Sequence, residues 1–153
     1  MRSTPEQHDP DWPHYPETIL TFSTTPSVEI DLRMIPPERA IADLAAAGFG
    51  QPFAILTAFD PRGRDISAEE NERRSRDLEQ RLTVEGRKFA RVDACSPDHS
   101  HCECSVAVVM PQDNAVHLAR DLEQVGLFWF DGKRFWILGG IVESDPLMLP
   151  RNS

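Results

Sequence analysis

The sequence predicts an α+β or α/β fold, in which a single domain holds a mixed β-sheet with about three helices packed on it. Two observations predict this class. Short apolar segments of strand length alternate with segments of helical periodicity, in the order β-β-α-β-α-β-β-α-β-β. The chain has 153 residues, of which 40% are hydrophobic and 27% are charged, the balance of one globular domain.

The domain is expected over residues 17–143, between a flexible N-terminal lead over 1–16 and an irregular tail over 144–153. Prolines in the lead interrupt both helices and strand ladders. Residues 18–23 and 28–32 then predict two strands, and the second of them alternates apolar and polar side chains.

The middle of the chain predicts a helix, a strand and a second helix. Two prolines at residues 36 and 37 open the first helix, which ends at the glycines near residue 50. The nearly continuous apolar run 53–59 suits a central strand covered on both faces. Ser67 is the predicted cap of the second helix, and Glu70, three residues later, predicts a capping box.

The last third of the chain predicts short strands and one further helix. Residues 89–92 and 102–110 are predicted strands on either side of a polar loop, and a helix begins at Asp113. The Asp131-Gly132 pair then predicts a tight turn between two apolar strands.

Charge and cysteine content argue against several classes of protein. Sixteen Lys and Arg against 25 Asp and Glu give a formal net charge of −9, which argues against broad nucleic-acid binding. No apolar run approaches the ~18 residues that span a bilayer. The N-terminus also lacks a signal-peptide pattern, so we expect a soluble, cytoplasmic protein of bacterial type. The three cysteines are odd in number and clustered, unlike a secreted disulfide framework.

The helix predicted over residues 67–85 carries polar side chains on its apolar stripe. Leu78 and Leu82 mark the buried stripe, and Arg74 or Ser75, then Asn71, extend it toward the N-terminus. Buried Asn and Arg side chains need partners. Either they line a polar pocket, where the helix N-terminus would favour an anion, or Asn71 holds the preceding loop and Arg74 bridges a carboxylate.

The strand after residue 100 has a second polar face. With a period of two residues, His101, Glu103 and Ser105 share one side, and Cys102 and Cys104 lie on the side of the following valines. The polar trio could supply acid–base chemistry or form a solvated strand end. The cysteines are interpreted as small core residues. A metal site is disfavoured because they face away from His101 and no C-x-x-C pair is present.

No motif names a reaction. The sequence has no G-x-S-x-G nucleophile elbow, and no phosphate-binding or dinucleotide-binding glycine motif. Any chemistry must therefore come from side chains that the fold brings together.

A combined pattern over residues 15–138 resembles domain-of-unknown-function family 3293. The residues that carry the resemblance are the run 52–61, Gly63, Ser67, Glu70, Asn71, Arg74, Leu78, Leu82, then Pro97, Asp98, His101, Glu103, Ser105, Val108 and the helix 115–124, with Tyr15 and Thr18 near the start. The family implies a small bacterial domain without an established activity. Its recurrent polar positions fall on Thr57, Asn71, Arg74, His101, Glu103 and Ser105. This chain departs from the family at Asp60, where Asn is usual, and an ionised Asp cannot donate a hydrogen bond.

Two functions from different classes are compatible with these features. The first is a pocket for a small anionic ligand, nucleotide-like or a phosphorylated metabolite, either for binding alone or with acid–base catalysis. Its predicted binding residues are Thr57, Asp60, Ser67, Asn71 and Arg74, and its predicted catalytic residues are His101, Glu103 and Ser105.

The second function is a non-catalytic protein-binding or regulatory module, or a homodimer, that uses the acidic surface and the aromatic C-terminal hairpin. The alternative for this hairpin is that its aromatic side chains belong to the core. Arg74→Ala separates the roles of Arg74. Loss of ligand binding with an intact fold would support the pocket, and unfolding would assign Arg74 to structure.

Overall fold

The computed structural model describes residues 4–151. Its central feature is an eight-stranded β-sheet. All seven strand pairs are antiparallel, and the strands lie in the order β2-β1-β4-β5-β3-β6-β7-β8. The strands are β1 Ile19–Phe22, β2 Val28–Asp31, β3 Phe53–Thr57, β4 Phe89–Cys95, β5 Cys102–Val108, β6 Gly126–Phe130, β7 Phe135–Gly139 and β8 Leu147–Leu149.

The predicted fold class was wrong. The sheet is curled into a half-barrel and is antiparallel throughout, so the fold is mostly β rather than a mixed sheet with three packed helices. The α-helices among residues 4–151 are α1 Pro5–His8, α2 Glu38–Leu44, α3 Ala68–Val84 and α4 Gln112–Asp121.

The reason for the error lies in the helical crossovers. Helix α3 connects β3 to β4, and these strands run in the same direction, as a mixed sheet would require. However, β5 lies between them and pairs with both in the antiparallel sense. In the same way α4 connects β5 to β6, with β3 inserted between them. Periodicity along the chain gives strands and helices but not which strands are neighbours.

The sheet buries an apolar core on each face. On one face, Leu78 and Leu82 of α3 and Leu118 of α4 pack against Val106 and Val108 of β5. The α3 stripe predicted from the four-residue spacing is therefore confirmed. The other face holds a second cluster of large side chains, including Leu44, Phe22, Phe49, Phe53 and Phe130.

Local sequence signals for helix starts and turns agree with the structure. The Ser67 hydroxyl accepts a hydrogen bond from the Glu70 amide at 3.1 Å and caps α3. The Glu70 carboxylate pairs with Arg73, so the structure shows one half of the predicted capping box. In the β6–β7 turn, Asp131 accepts hydrogen bonds from two following backbone amides, and Gly132 takes a φ of +107°.

Both ends of the chain carry ordered elements. The segment predicted as a lead holds α1 and most of a 3-10 helix, Trp12–Glu17, whose Trp12 and Tyr15 pack against the second core. The segment predicted as an irregular tail contains β8, which pairs with β7. Three residues are too few to show a strand period, so only pairing reveals β8. Within residues 4–151, no helix combines the length and apolarity needed to cross a bilayer.

Candidate functional site

A cavity of about 310 Å³ opens at one end of the central strands, where β3 and β4 end and β5 and β6 begin. Segment 9–18 and loop 60–65 complete its walls. We call it the acidic cavity. Its lining residues are Asp9, Asp11, His14, Tyr15, Glu17, Thr18, Ile55, Thr57, Phe59, Asp60, Gly63, Asp65, Ala94, Cys95, Ser96, Pro97, His101, Glu103, Ser105, Gln124, Val125, Gly126, Leu127 and Phe128.

The charge of this lining is strongly negative. Six carboxylate side chains and two histidines contribute to it, and within the described chain no Lys or Arg does. The carboxylates come from three separate parts of the chain: the N-terminal segment, the loop after β3 and strand β5. Because they converge in one concave surface, their fields add there.

Glu103 lies at the centre of the β5 wall. About 30% of its side chain is exposed, and burial raises its pKa to about 7, with nearby Asp60 and Asp9 acting in the same direction. The His101 ring nitrogen Nε2 lies 3.7 Å from Glu103 Oε1 and opposes this rise. The Glu103 carboxyl therefore changes charge near neutral pH.

Ser105 and Thr57 extend this polar wall inward. Ser105 is 4% exposed, and its hydroxyl donates at 3.5 Å to the Glu103 carbonyl, a distance at which a hydrogen bond is weak. The Thr57 hydroxyl instead donates to the Cys104 carbonyl at 2.8 Å and accepts from the Phe59 amide. Thr57 thus fixes backbone, whereas Ser105 keeps hydrogen-bonding capacity toward the cavity.

The N-terminal segment 9–18 forms one wall of the cavity. The Tyr15 hydroxyl donates to Asp9. Burial, followed by the charge and hydrogen bond of Asp9, raises the Tyr15 pKa above its usual range. Trp12 lies so close to Gly126 that a side chain there would overlap its ring, and His8 backbone lies equally close to Gly63. Glycine at these positions allows the segment to seat.

The structure brings together some of the predicted site residues and not others. Thr57, Asp60, His101, Glu103 and Ser105 all line the acidic cavity. The lining does not include Ser67, Asn71 or Arg74.

The side chains of Ser67, Asn71 and Arg74 form hydrogen bonds with backbone groups instead of lining the cavity. Arg74 donates to the Ala58 carbonyl at 2.7 Å and to the Leu122 carbonyl at 2.8 Å. Asn71 accepts from the Asp60 amide at 2.9 Å and donates to Asp60 Oδ1 at 3.0 Å. Asn71 therefore holds the preceding loop, which was the predicted alternative to a role in a polar pocket. Arg74 is also engaged within the fold, although with carbonyls rather than a carboxylate.

Asp60 both lines the cavity and stabilises the loop that follows β3. Its Oδ1 accepts hydrogen bonds from Asn71 and from the Ile66 amide at 3.2 Å, which closes loop 60–66. Its backbone adopts a left-handed φ of +46°, a conformation that Asn and Asp tolerate better than most residues. At this position Asp serves as an acceptor, and the loop does not require the donor that Asn would add.

The cysteines were misassigned in part. Cys95 and Cys102 form a disulfide between the paired ends of β4 and β5, and Cys102 is exposed rather than in the core. Cys104 is half-buried, near the Ser75 hydroxyl at 3.7 Å. The period of two correctly gave the side of the sheet, but it does not show where helix α3 stops covering that side.

Sequence reasoning missed the N-terminal contribution to the cavity. Asp9, Asp11 and Tyr15 line it, although proline content predicted a flexible lead there. The Asp–x–Asp pair close to two aromatic residues was the available signal. Gln124, which donates to the Phe59 carbonyl at 2.9 Å, was also missed because a single Gln carries no pattern.

The aromatic C-terminal hairpin lies largely in the core. Trp129, Phe130 and Phe135 are 7% exposed or less, and the indole of half-buried Trp136 donates to Asp131 at 2.8 Å. These side chains therefore fit the core alternative better than an open recognition face.

Comparison with known proteins identifies one family. The model of domain-of-unknown-function family 3293, described as a protein of unknown function, matches residues 56–127. This match confirms the resemblance inferred from the sequence for that part of the chain. No curated protein and no solved structure gives a significant match.

Proposed function

We propose that the acidic cavity binds a small organic cation of the aliphatic amine class, such as a diamine or polyamine. The observation that carries the proposal is the charge of the lining, in which six carboxylates converge and, among residues 4–151, no Lys or Arg takes part. An anion there would meet like charges at short range, which costs free energy, whereas an ammonium group is attracted.

The cavity also has an apolar side that suits a hydrocarbon chain. Ile55, Phe59, Leu127 and Phe128 line it, and the Tyr15 ring packs 6.0 Å from that of Phe128. An alkyl amine would place its methylene groups against these side chains and its charge among the carboxylates. Aromatic faces add a further attraction for ammonium groups. A bare metal ion would leave this apolar wall unused.

Two polar groups on β5 are placed to fix the position of an ammonium group. Glu103 offers carboxylate oxygens, and the His101 ring nitrogen nearest to them lies 3.7 Å away. The buried Ser105 hydroxyl, with its weak 3.5 Å contact, offers an acceptor lone pair. An ammonium group has three donors and no acceptor, so acceptors of this kind match it. The proposal is one of binding and includes no reaction.

Calorimetric titration tests the proposal with putrescine and spermidine as probes, beside inorganic phosphate and adenosine monophosphate as anions. We expect the amines to bind, with an affinity that falls as salt rises, and the anions to give no heat of binding. At pH 8, where Glu103 is mostly ionised, Glu103→Gln should weaken amine binding by about 3–10-fold, the range of one partly screened charge contact.

Glu69→Gln is the matched control. Glu69 is exposed on the first turn of α3, outside the cavity lining, so removing its charge should leave amine affinity unchanged. The proposal fails if phosphate or the nucleotide binds while the amines do not. It also fails if Glu69→Gln weakens amine binding as much as Glu103→Gln, since the effect would then be one of overall charge.

A further inference from the structure

The loop that joins β4 to β5 gathers a second cluster of chemically active side chains, which shares Cys95 with the lining of the acidic cavity. The sulfur atoms of Cys95 and Cys102 and a ring nitrogen of His99 all lie within 4.8 Å of one another. We propose that these three residues form a redox-gated zinc site, in which the disulfide is the metal-free form and the reduced cysteines bind Zn²⁺ together with His99.

The ligand types match zinc. Thiolate sulfur and imidazole nitrogen bind Zn²⁺ at about 2.3 Å and 2.0–2.1 Å, which in a tetrahedron places ligand atoms roughly 3.5–3.8 Å apart. The three ligand atoms already lie within 4.8 Å of one another, and the two sulfur atoms need only move apart once the S–S bond is reduced. Three protein ligands leave one position for water. Two thiolates also neutralise the charge of the ion, which suits a site where Cys95 is buried and the other two ligands are exposed.

The backbone holds these ligands in place independently of the S–S bond. Strands β4 and β5 pair over seven residue pairs, which end with Cys95 opposite Cys102. Within the loop, the Ser96 amide donates to the His101 carbonyl at 2.9 Å and the His99 amide donates to the Ser96 carbonyl at 2.8 Å. Asp98 adds hydrogen bonds from the Ser96 and Ser100 side chains. The reduced loop therefore keeps the ligands near one another.

Neighbouring candidates are excluded because their side chains contact other groups. His101 points into the acidic cavity beside Glu103. Cys104 lies next to Ser75 of α3, two residues along β5 from Cys102. These two residues therefore provide matched His and Cys controls.

The chemistry of the switch balances with a dithiol as reductant. The dithiol gives two electrons and two protons to the Cys95–Cys102 bond and becomes a cyclic disulfide, while the protein gains two thiols. Zn²⁺ then replaces the two thiol protons, which leave to solvent, and the imidazole of His99 donates a nitrogen lone pair. In the reverse step a small-molecule disulfide accepts the two electrons from the thiolates and takes two protons from solvent to become two thiols, the Cys95–Cys102 bond forms, and the ion leaves.

Cobalt titration tests the site, because Co²⁺ bound to thiolate gives a charge-transfer absorption that carboxylate ligation does not. The protein is reduced with dithiothreitol, freed of reductant by gel filtration under nitrogen, and titrated with Co²⁺ and then Zn²⁺. We expect the reduced protein to show the thiolate band, to saturate at a single equivalent and to lose the band on adding Zn²⁺. The oxidised protein should show no such band.

Variants assign the ligands. Cys95→Ser and Cys102→Ser should lose the band, while Cys104→Ser and His101→Asn should keep it. Loss of an outer-shell partner already costs about 10–100-fold in metal affinity, so His99→Asn should cost at least as much. Circular dichroism of each reduced protein establishes that it is folded. The proposal is overturned if the folded, reduced parent gives no thiolate band, if reduction itself unfolds the chain, or if Cys104→Ser removes the band.

Discussion

Two regions of the molecule use the same kinds of polar side chain for different purposes. In the first, which we call the fastening network, Asn71, Arg74 and Gln124 hold the chain after β3 through short hydrogen bonds of 2.7–3.0 Å. In the second, the β5 wall of the acidic cavity, Ser105 has a 3.5 Å contact and Glu103 lies 3.7 Å from His101.

The difference separates stability from recognition. Within the described chain, no buried side-chain nitrogen or oxygen lacks a hydrogen-bond partner. In the fastening network those partners are strong and internal, so removing one group leaves backbone carbonyls buried without a donor. In the β5 wall the internal contacts are weak, so the groups can exchange them for contacts to a ligand at little cost.

The largest effect is expected for Arg74→Ala. It removes two short hydrogen bonds from a charged donor to backbone carbonyls, and each such bond contributes about 1.5–3 kcal/mol when buried. Because Arg74 is only half-buried, we expect a loss of about 2–4 kcal/mol in the free energy of unfolding. Urea denaturation measures it. Arg73→Ala, which breaks only an exposed pair with Glu70, should change stability by less than about 0.5 kcal/mol. Equal stability of the two variants would show that the hydrogen bonds of Arg74 do not stabilise the fold.

The cover of the cavity is tested next, with Gly126→Ala. The new methyl group would overlap the Trp12 ring and the Leu138 carbonyl, and overpacking of this kind costs about 1–3 kcal/mol. By urea denaturation, Gly126→Ala should cost less in a Trp12→Ala background than in the parent, because that background lacks one of the two overlaps. Additive effects of the two substitutions would contradict direct packing of Trp12 on Gly126.

Alkaline pH should weaken the fold through Tyr15. Its pKa is raised in the folded state, so the folded chain keeps the proton after the unfolded chain has lost it near pH 10. Stability from this group is therefore present below about pH 10 and falls above it, by about 1.4 kcal/mol at pH 11.

Tyr15 is the single tyrosine of the chain, so tyrosinate absorbance reports its titration directly. The folded protein should show its absorbance rise at a higher pH than the protein in denaturant. The alkaline decrease in unfolding free energy should be smaller in Tyr15→Phe than in the parent. Coincident titration curves in the folded and denatured protein would show that Tyr15 is not shielded.

The smallest effect is expected for Ser105→Ala, although Ser105 is as buried as Asn71 and Gln124 of the network. Its hydrogen bond is long, and removing a weakly bonded hydroxyl should cost less than about 1 kcal/mol. Chemical denaturation compares it with Asn71→Ala, for which we expect about 1–3 kcal/mol because the Asp60 amide loses its acceptor. A larger loss for Ser105→Ala would show that the β5 wall is also built for stability.

The local elements and the polar candidates of this protein can be predicted from short stretches of sequence. Capping at Ser67, the Leu78–Leu82 stripe and the Asp131-Gly132 turn each depend on residues within one or two turns of the chain, so local patterns suffice. The period of two on β5 also placed His101, Glu103 and Ser105 on one face, and that face lines the cavity.

The order of the strands in the sheet follows from tertiary contacts alone. The same contacts separate the polar residues that line the cavity from those that hydrogen-bond to the backbone. Strand β5 inserts between β3 and β4, and Arg74 reaches carbonyls 16 and 48 positions away in sequence. The carboxylates of segment 9–17 meet Glu103 across the cavity for the same reason. Pairing, burial and summed charge depend on residues that are distant in sequence, and a pattern read along one chain carries no record of which of them become neighbours.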